Sequence, residues 1–334
     1  MILVVTPNPA VDVTYRVAEQ RIGETQRVLD VARRPGGKGL NVARVLEDAG
    51  RSTHSVLPLG GTAGQWVADA LDQVGLAHSD VAVTGETRTT VTVVDDDAHP
   101  TMFGEPGPVV SPDEWAAVTA TVSRLLDSGD VDALVVSGSL PGGADPAVVA
   151  AWVGAARRRG VPSVADCSGP ALLAAASAGA TICKPNRDEL LEATGVTGDD
   201  ERSGALQLLE RGARTVVVSR GAEGIAAYTL TAVLEVPAVA GVTGNPTGAG
   251  DAATAGLVTA LLGRSRHGAD LLVDHEALRT AAAFGAAAVL RPVAGEVDRD
   301  AVRRFLRTGG SPAGSPAGGP HLDLTRDNRT GSPA

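Results

Sequence analysis

The sequence predicts an α/β fold: a mainly parallel sheet with helices on both faces, and a small antiparallel sheet set apart from it. Three observations predict it. From about residue 131 onward, short β-branched runs alternate with stretches of helical periodicity, as in repeated βα units. Two pairs of segments outside that alternation mix polar and apolar residues, as strands with one solvated face do. Hydrophobic residues make up 43% of 334, enough for a sizeable core, although with 2% aromatics Ala, Val and Leu must fill it.

Taken in order, Ile2–Thr6 is β-branched and short, a buried strand. Val11–Val17 with Thr25–Ala32, and Thr89–Asp95 with Pro100–Phe103, make the small sheet, which is placed to cover a site. From Gly39, LNVARVLEDAG carries a helical stripe (Leu40, Val42, Ala43, Val45, Leu46, Ala49) that stops at Gly50. Residues 112–128 form the next helix. Strands at Val131–Val136, Val161–Ala165, Thr181–Cys183 and Thr215–Ser219 then alternate with helices at 145–159, 170–178, 187–195 and 201–211. A hairpin follows at 224–239, and helices at 248–263, 275–290 and 298–307 close the fold. One domain spans 1–308; residues 309–334 are a Gly/Pro/Ser-rich tail expected to be disordered.

Composition narrows the function. A formal net charge of −10 without a long basic run argues against nucleic-acid binding by bulk electrostatics. No apolar run approaches the ~20 residues that span a bilayer, and MILVVTPNP has neither the length nor the basic flank of a signal peptide, so a cytoplasmic location is expected. Cys167 and Cys183 lie in no metal-ligand spacing and read as buried, reduced thiols. Of 29 basic residues only Lys38 and Lys184 are lysines, which suggests positions where an arginine fork will not serve.

Five motifs carry chemistry. In NPTGAGD, Gly248, Ala249 and Gly250 open a helix with Asp251 in its first turn. Bare amides at a helix start hold an anion, and an adjacent carboxylate orients or deprotonates a hydroxyl, the two needs of phosphoryl transfer. The plain alternative is a Gly-rich turn with an acid favouring the helix start. RPGGKGLNVARVL places Gly36, Gly37, Lys38 and Gly39 at another helix start, with Asn41 in its first turn; a sugar and its phosphate, or simple packing, accounts for it. SGSLPGG (Ser137–Gly143) follows a strand, where open α/β sheets bind ligands. In KPNRDEL, Asn186 is either a helix cap or, with Glu189, a holder of water around Mg²⁺. VSRGAEG is a turn suited to close contact with a nucleotide.

Taken together, TPNPAVD (Thr6–Asp12), GGKGLNVAR, GETR (Gly85–Arg88), SGSLPGG, DCSG (Asp166–Gly169), KPNRDEL and TGAGD occur in the order in which the PfkB sugar kinases carry them. The chain resembles that family over about residues 1–305, within the branch of 1-phosphofructokinases, tagatose-6-phosphate kinases and minor 6-phosphofructokinases. The resemblance implies a ribokinase-like three-layer αβα sandwich in which the small sheet is a β lid that pairs two subunits into a homodimer. It implies ATP and Mg²⁺ as cofactors and a ketohexose phosphate as substrate. Asp251 is then the base, with Gly248, Ala249 and Gly250 as anion hole. Asp12, Gly37 and Asn41 bind sugar hydroxyls, and Lys38, Arg88 and Arg27, with Ser139 nearby, hold the sugar's phosphate. Lys184, Asn186, Ser219, Gly221, Gly224 and Thr247 serve the nucleotide, with Glu189 and Asn186 on the metal's water shell. Three departures stand out: Ala252 and Ala253 follow Asp251, where the branch often has Ser first; Arg220 replaces a more usual apolar residue; and AAAFGAAAVL (281–290) lacks the polar residue often found near the adenine, which bears on nucleotide preference.

Lys38 with Arg88 has its own logic: cations at the far end of a pocket are costly without an anionic partner, which disfavours a neutral-sugar or nucleoside kinase. Fructose 1-phosphate is the first expected substrate, with tagatose 6-phosphate and fructose 6-phosphate next. A non-catalytic sugar-phosphate sensor has no need of Asp251.

Overall fold

The structure, a computed structural model, describes residues 1–95, 100–264 and 273–308; the tail expected at 309–334 lies outside the described residues. The chain order is β1 (Ile2–Val5), β2 (Ala10–Arg16), β3 (Asp30–Gly36), α1 (Lys38–Asp48), β4 (Thr53–Leu59), α2 (Gly61–Gln73) and β5 (His78–Ala82). Then come β6 (Arg88–Val94), β7 (Thr101–Gly104), α3 (Pro112–Asp127), β8 (Ala133–Ser137), α4 (Ala147–Arg158), β9 (Ser163–Asp166), α5 (Gly169–Ser177), β10 (Ile182–Cys183) and α6 (Arg187–Thr194). Last are α7 (Glu201–Arg211), β11 (Thr215–Ser219), β12 (Ile225–Tyr228), β13 (Val233–Val236), α8 (Ala249–Arg264), α9 (His275–Val289) and α10 (Arg299–Thr308).

The large sheet runs β13-β12-β11-β10-β9-β8-β1-β4-β5, parallel from β5 to β11 and finished by the expected hairpin. Strand alternation explains its two covered faces. Leu3 and Val5 join Leu134, Val136, Val216 and Val218 against the helices that carry Val118, Trp152, Leu172 and Leu208. Ile2 and Val4 point the other way, with Val135 and Val217, onto Val42, Leu257, Leu278 and Ala301. Trp115 and Trp152 pack at 6.0 Å between centroids in the first layer. The third tryptophan, Trp66, packs beneath the lid.

The chain passes from β1 outward to β4 and β5, then returns to the other side of β1 for β8, β9, β10 and β11. The strand order therefore reverses between β1 and β8, and the C-terminal ends of those two strands frame a crevice. Gly39 shows how closely α1 sits over it: a Cβ there would stand 2.2 Å from Thr6 Oγ1 and 3.2 Å from the Ser137 carbonyl.

The lid is a four-stranded sheet ordered β3-β2-β6-β7. Its outer pairs are antiparallel as expected, but its central pair, β2 with β6, is parallel. Both strands leave the C-terminal edge of the large sheet, one after β1 and the other after β5, so they depart in the same direction. Val11 and Val13 face Leu57, Val67 and Leu71, while the alternate row faces the crevice: Arg34 pairs with Asp12, and Asp12 with Thr90. The strand expected at Thr25–Ala32 lies later, at Asp30–Gly36, so Arg34–Gly36 extend the lid rather than form a loop. The segment β4-α2-β5 had no sequence assignment.

Candidate active site

A cleft of about 1100 Å³ lies between the lid and the C-terminal edge of the large sheet. Its centre is the start of α8. Gly248 has φ 81°, and a Cβ there would stand 2.7 Å from that of Ala294, so the turn tolerates no side chain. The Ala249 amide donates to the Pro246 carbonyl and that of Ala252 to the Gly248 carbonyl. Between them, the amides of Gly250 and Asp251 have no partner among the described residues. Two unpaired donors at a helix N-terminus form an anion-binding point.

Asp251 is buried at 6% exposure, and its Oδ2 accepts a hydrogen bond from Asn41 Nδ2 at 2.9 Å. Burial, reinforced by the neighbouring Asp166 carboxylate, pushes its pKa up to about 7, against the opposing pull of Asn41, Lys38 and Lys184. A carboxylate so poised accepts a proton near neutral pH. Asp166, at the end of β9, is held in turn by Thr254 Oγ1 at 2.7 Å and by Lys184 Nζ at 3.4 Å. Asp166 and Lys184 are both almost fully buried, so each charge needs the other.

Lys38 Nζ donates to Glu189 Oε1 at 2.8 Å. Burial works against its charge, but Asp166, Glu189 and Asp251 outweigh that and hold it above its ordinary pKa. Glu189 Oε2 accepts from the Asn186 amide, and Asn186 Oδ1 accepts from the Glu189 amide at 2.8 Å, a complete capping box. Asn186 is thus a helix cap and a cleft residue at once. For Mg²⁺ the donors here are hard carboxylate and carboxamide oxygens, which suit it. The oxygens of Glu189 and that of Asn186 are all engaged, so they fit a hydrated ion held through water.

At the lid end, Asp12 lies beside the Gly37 amide and the Thr90 hydroxyl, both of which favour its charged form. Burial raises its pKa, and Arg88 and Arg44 oppose that rise. A Cβ on Gly36 would strike the Asp12 carboxyl at 2.0 Å. Arg88 donates to the carbonyls of Asn8 and Glu105, which aims its guanidinium. The GETR motif divides by role. Glu86 Oε1 accepts the Ala63 amide at 2.6 Å and Thr87 Oγ1 accepts the Gly60 amide at 3.0 Å, tying down the start of α2. Only Arg88 of the four lines the cleft.

Every expected site residue but one reaches this cleft. Asp12, Gly37, Lys38, Asn41, Arg88 and Ser139 line it with Gly248, Ala249, Gly250 and Asp251. Lys184, Asn186, Glu189, Ser219, Gly221, Gly224 and Thr247 line its other half. Arg27 does not: it is exposed in the segment before β3, beyond the cleft wall, because the lid strand begins later than expected. Sequence reasoning missed Asp166, Arg34, Arg44 and Thr254 as site groups. Asp166 was findable, since it ends a parallel strand, and Arg44 lies one turn beyond Asn41 on α1. Arg34 had no signal, since it lies beyond the strand expected at Thr25–Ala32.

The model of the pfkB family carbohydrate kinases matches residues 6–300. Among solved structures, phosphofructokinase-2 from Escherichia coli is similar at 26% identity, covering 93% of this chain and 99% of that one, with a TM-score of 0.80. A possible 1-phosphofructokinase from Thermotoga maritima is similar at 26% identity over 92% and 97%, also with a TM-score of 0.80. The Arabidopsis thaliana ribokinase complexed with ribose and ATP shares the fold, with a TM-score of 0.68 at 22% identity. Among the described residues no helix is long and apolar enough to cross a membrane. With the family matched across almost all of its folded length, the chain belongs to the pfkB carbohydrate kinases, enzymes that transfer a phosphoryl group to a sugar hydroxyl.

Proposed function

We propose that this enzyme phosphorylates a ketohexose phosphate from ATP, with fructose 1-phosphate as the leading substrate and fructose 1,6-bisphosphate as product. The observation that carries the reading is the position of Asp251: a buried acid beside helix amides that are unpaired among the described residues, in one cleft with the arginines of the lid end and the glycine turns of the other half. Arg88, Arg44 and Arg34 beside Asp12, with Lys38 also in the cleft lining, favour an acceptor that already bears a phosphate. The neighbours support that class: the Escherichia coli phosphofructokinase-2 is known in complex with fructose-6-phosphate and the Thermotoga maritima protein is a possible 1-phosphofructokinase; fructose 6-phosphate and tagatose 6-phosphate are the runners-up.

In the mechanism, Asp12 and Asn41 orient the sugar and Arg88 and Lys38 hold its phosphate. Asp251 takes the proton of the attacking hydroxyl, while the amides at Gly250 and Asp251 receive the charge of the transferring group. Lys184 and the turns at Ser219 and Gly221 to Gly224 hold the nucleotide, with Thr247 near its triphosphate. Glu189 and Asn186 would hold Mg²⁺ through water, and the ion would there offset phosphate charge. The exposed apolar residues of the lid, Ile22, Leu29, Val31 and Phe103, favour pairing of two lids in a homodimer, and the enzyme is expected in the cytoplasm.

A coupled ADP-release assay over fructose 1-phosphate, fructose 6-phosphate, tagatose 6-phosphate and fructose, with Mg²⁺, tests the reading. The highest kcat/KM is expected for fructose 1-phosphate and the lowest for fructose. Equal turnover of fructose and its phosphates would refute the phosphorylated acceptor.

A further inference from the structure

Behind the glycine turns lies a cluster that the mechanism does not use. Arg220 stands between Ser219 and Gly221, both of which line the cleft. Its side chain points away from them, into a buried site. Arg220 Nε donates to Glu201 Oε1 at 3.0 Å and Oε2 at 2.9 Å, and Nη2 donates to Oε1 at 2.9 Å. Tyr228 accepts from Nη2 and donates to Glu201 Oε1, each at 2.8 Å. Arg220 Nη1 also pairs with Glu235 of β13 at 2.9 Å.

The same carboxylate holds a second element. Arg187, the first residue of α6, donates from Nε to Glu201 Oε2 at 3.0 Å. Its Nη1 and Nη2 reach back to Glu223 Oε1 and Oε2, at 3.0 and 2.7 Å, closing the ring onto the 221–223 turn. Arg187 adjoins Asn186, whose capping box with Glu189 sets the partner of Lys38. Strand pairing adds a third tie, since Asn186 and Ser219 form a bridge.

We propose that Glu201 is a positioning residue for the nucleotide half of the cleft, anchoring the 219–224 turn through Arg220 and the start of α6 through Arg187. The inference rests on the assignment of that half to ATP made above. A carboxylate at 7% side-chain exposure holding two guanidinium forks fixes both elements to one point on α7. Fixing them together matters because both would contact one ligand, and positioning errors of an ångström are costly in transfer reactions. Glu201 touches no ligand itself; it does not line the cleft.

The test compares the full-length wild type with Glu201→Gln and Glu223→Gln. Steady-state KM for ATP, KM for the sugar phosphate, kcat and Tm are measured for each. Glu201→Gln keeps the shape and removes the charge. A rise of about tenfold in KM for ATP is expected, with KM for the sugar phosphate changed by less than about twofold. Glu223 is 64% exposed, so its variant folds even where the buried one fails, and an ATP-specific KM rise of about twofold to threefold is expected. A lower Tm with both KM values unchanged, or a parallel rise in both, overturns the proposal and marks the cluster as purely stabilising. Wild-type enzyme that turns over the sugar phosphate with another donor but not with ATP overturns the nucleotide assignment, and this inference with it.

Discussion

Two helix starts face the same cleft and are built in opposite ways. The N-terminus of α6 is closed by its own side chains, with Asn186 and Glu189 exchanging hydrogen bonds in a capping box. That of α8 opens with Gly248, which has no side chain to offer, and leaves the amides of Gly250 and Asp251 unpaired among the described residues. The first arrangement stabilises a helix; the second keeps its donors for a ligand, at the cost of the cap. Helix α1 follows α8: its first turn is preceded by Gly37, with no side-chain cap. The two bare starts belong to the two glycine motifs, and Asn41 of one donates to Asp251 of the other.

The sharpest way to break the contrast is at Asp251. Asp251→Asn keeps the acceptor for Asn41 and removes the base, so kcat should fall by about 10²- to 10⁴-fold while KM for the sugar phosphate stays close to wild type. The wild-type kcat should show an acid limb, rising with pH through about 7 as the carboxylate ionises. Stability should run the other way. A raised carboxylate pKa favours the fold below the unfolded value and loses that contribution as pH rises through the folded one. The Tm advantage of Asp251→Asn should therefore grow from about pH 4 to pH 7. An advantage independent of pH would show that Asp251 is charged throughout.

Next in size is Gly248→Ala. The added methyl meets Ala294 at a backbone angle that L-residues avoid, which displaces the start of α8. Loss of aimed amides predicts a fall in kcat of about 10²-fold, with Tm lowered by the strain. A drop in Tm without a kinetic change would show that the amides do no chemistry.

Arg88→Ala tests the lid end. Losing a charge-assisted contact predicts a rise of about 10- to 100-fold in KM for the phosphorylated sugar, with KM for ATP unchanged. Equal rises in both would misplace the residue. Smallest is Asn186→Ala at the closed helix start. Loss of a cap predicts about 1 kcal/mol less stability in chemical denaturation. Its kinetic effect should be confined to the nucleotide and the Mg²⁺ requirement; a kcat loss as large as that of Asp251→Asn would erase the contrast between the helix starts.

The fold was legible where periodicity and strand length agree, as from β8 to β11, where the chain alternates buried runs and amphipathic helices. It was not legible at β4-α2-β5. There Pro58 interrupts the strand pattern, and α2 follows Gly60, which has no side chain to cap it; Glu86, distant in sequence, accepts the Ala63 amide instead. A helix whose cap comes from tertiary structure gives no local signal. The parallel pairing of β2 with β6 was likewise hidden, because it depends on where each strand leaves the large sheet. In the site, motif residues were read well since glycine, lysine and acid at a strand end or helix start have few other uses. Arg34 and Arg44 were missed because a lone arginine on a strand or helix looks like any solvated one.

The scarcity of aromatics has a practical consequence. Trp115 and Trp152 pack together at a tilt between α3 and α4, on the far side of the sheet from the lid, whereas Trp66 on α2 packs against the lid's inner row. Intrinsic fluorescence therefore contains one emitter that feels the flap and a pair that does not. Replacing the pair with phenylalanine yields a single-reporter enzyme whose emission can follow ligand arrival at the sugar end without any attached dye.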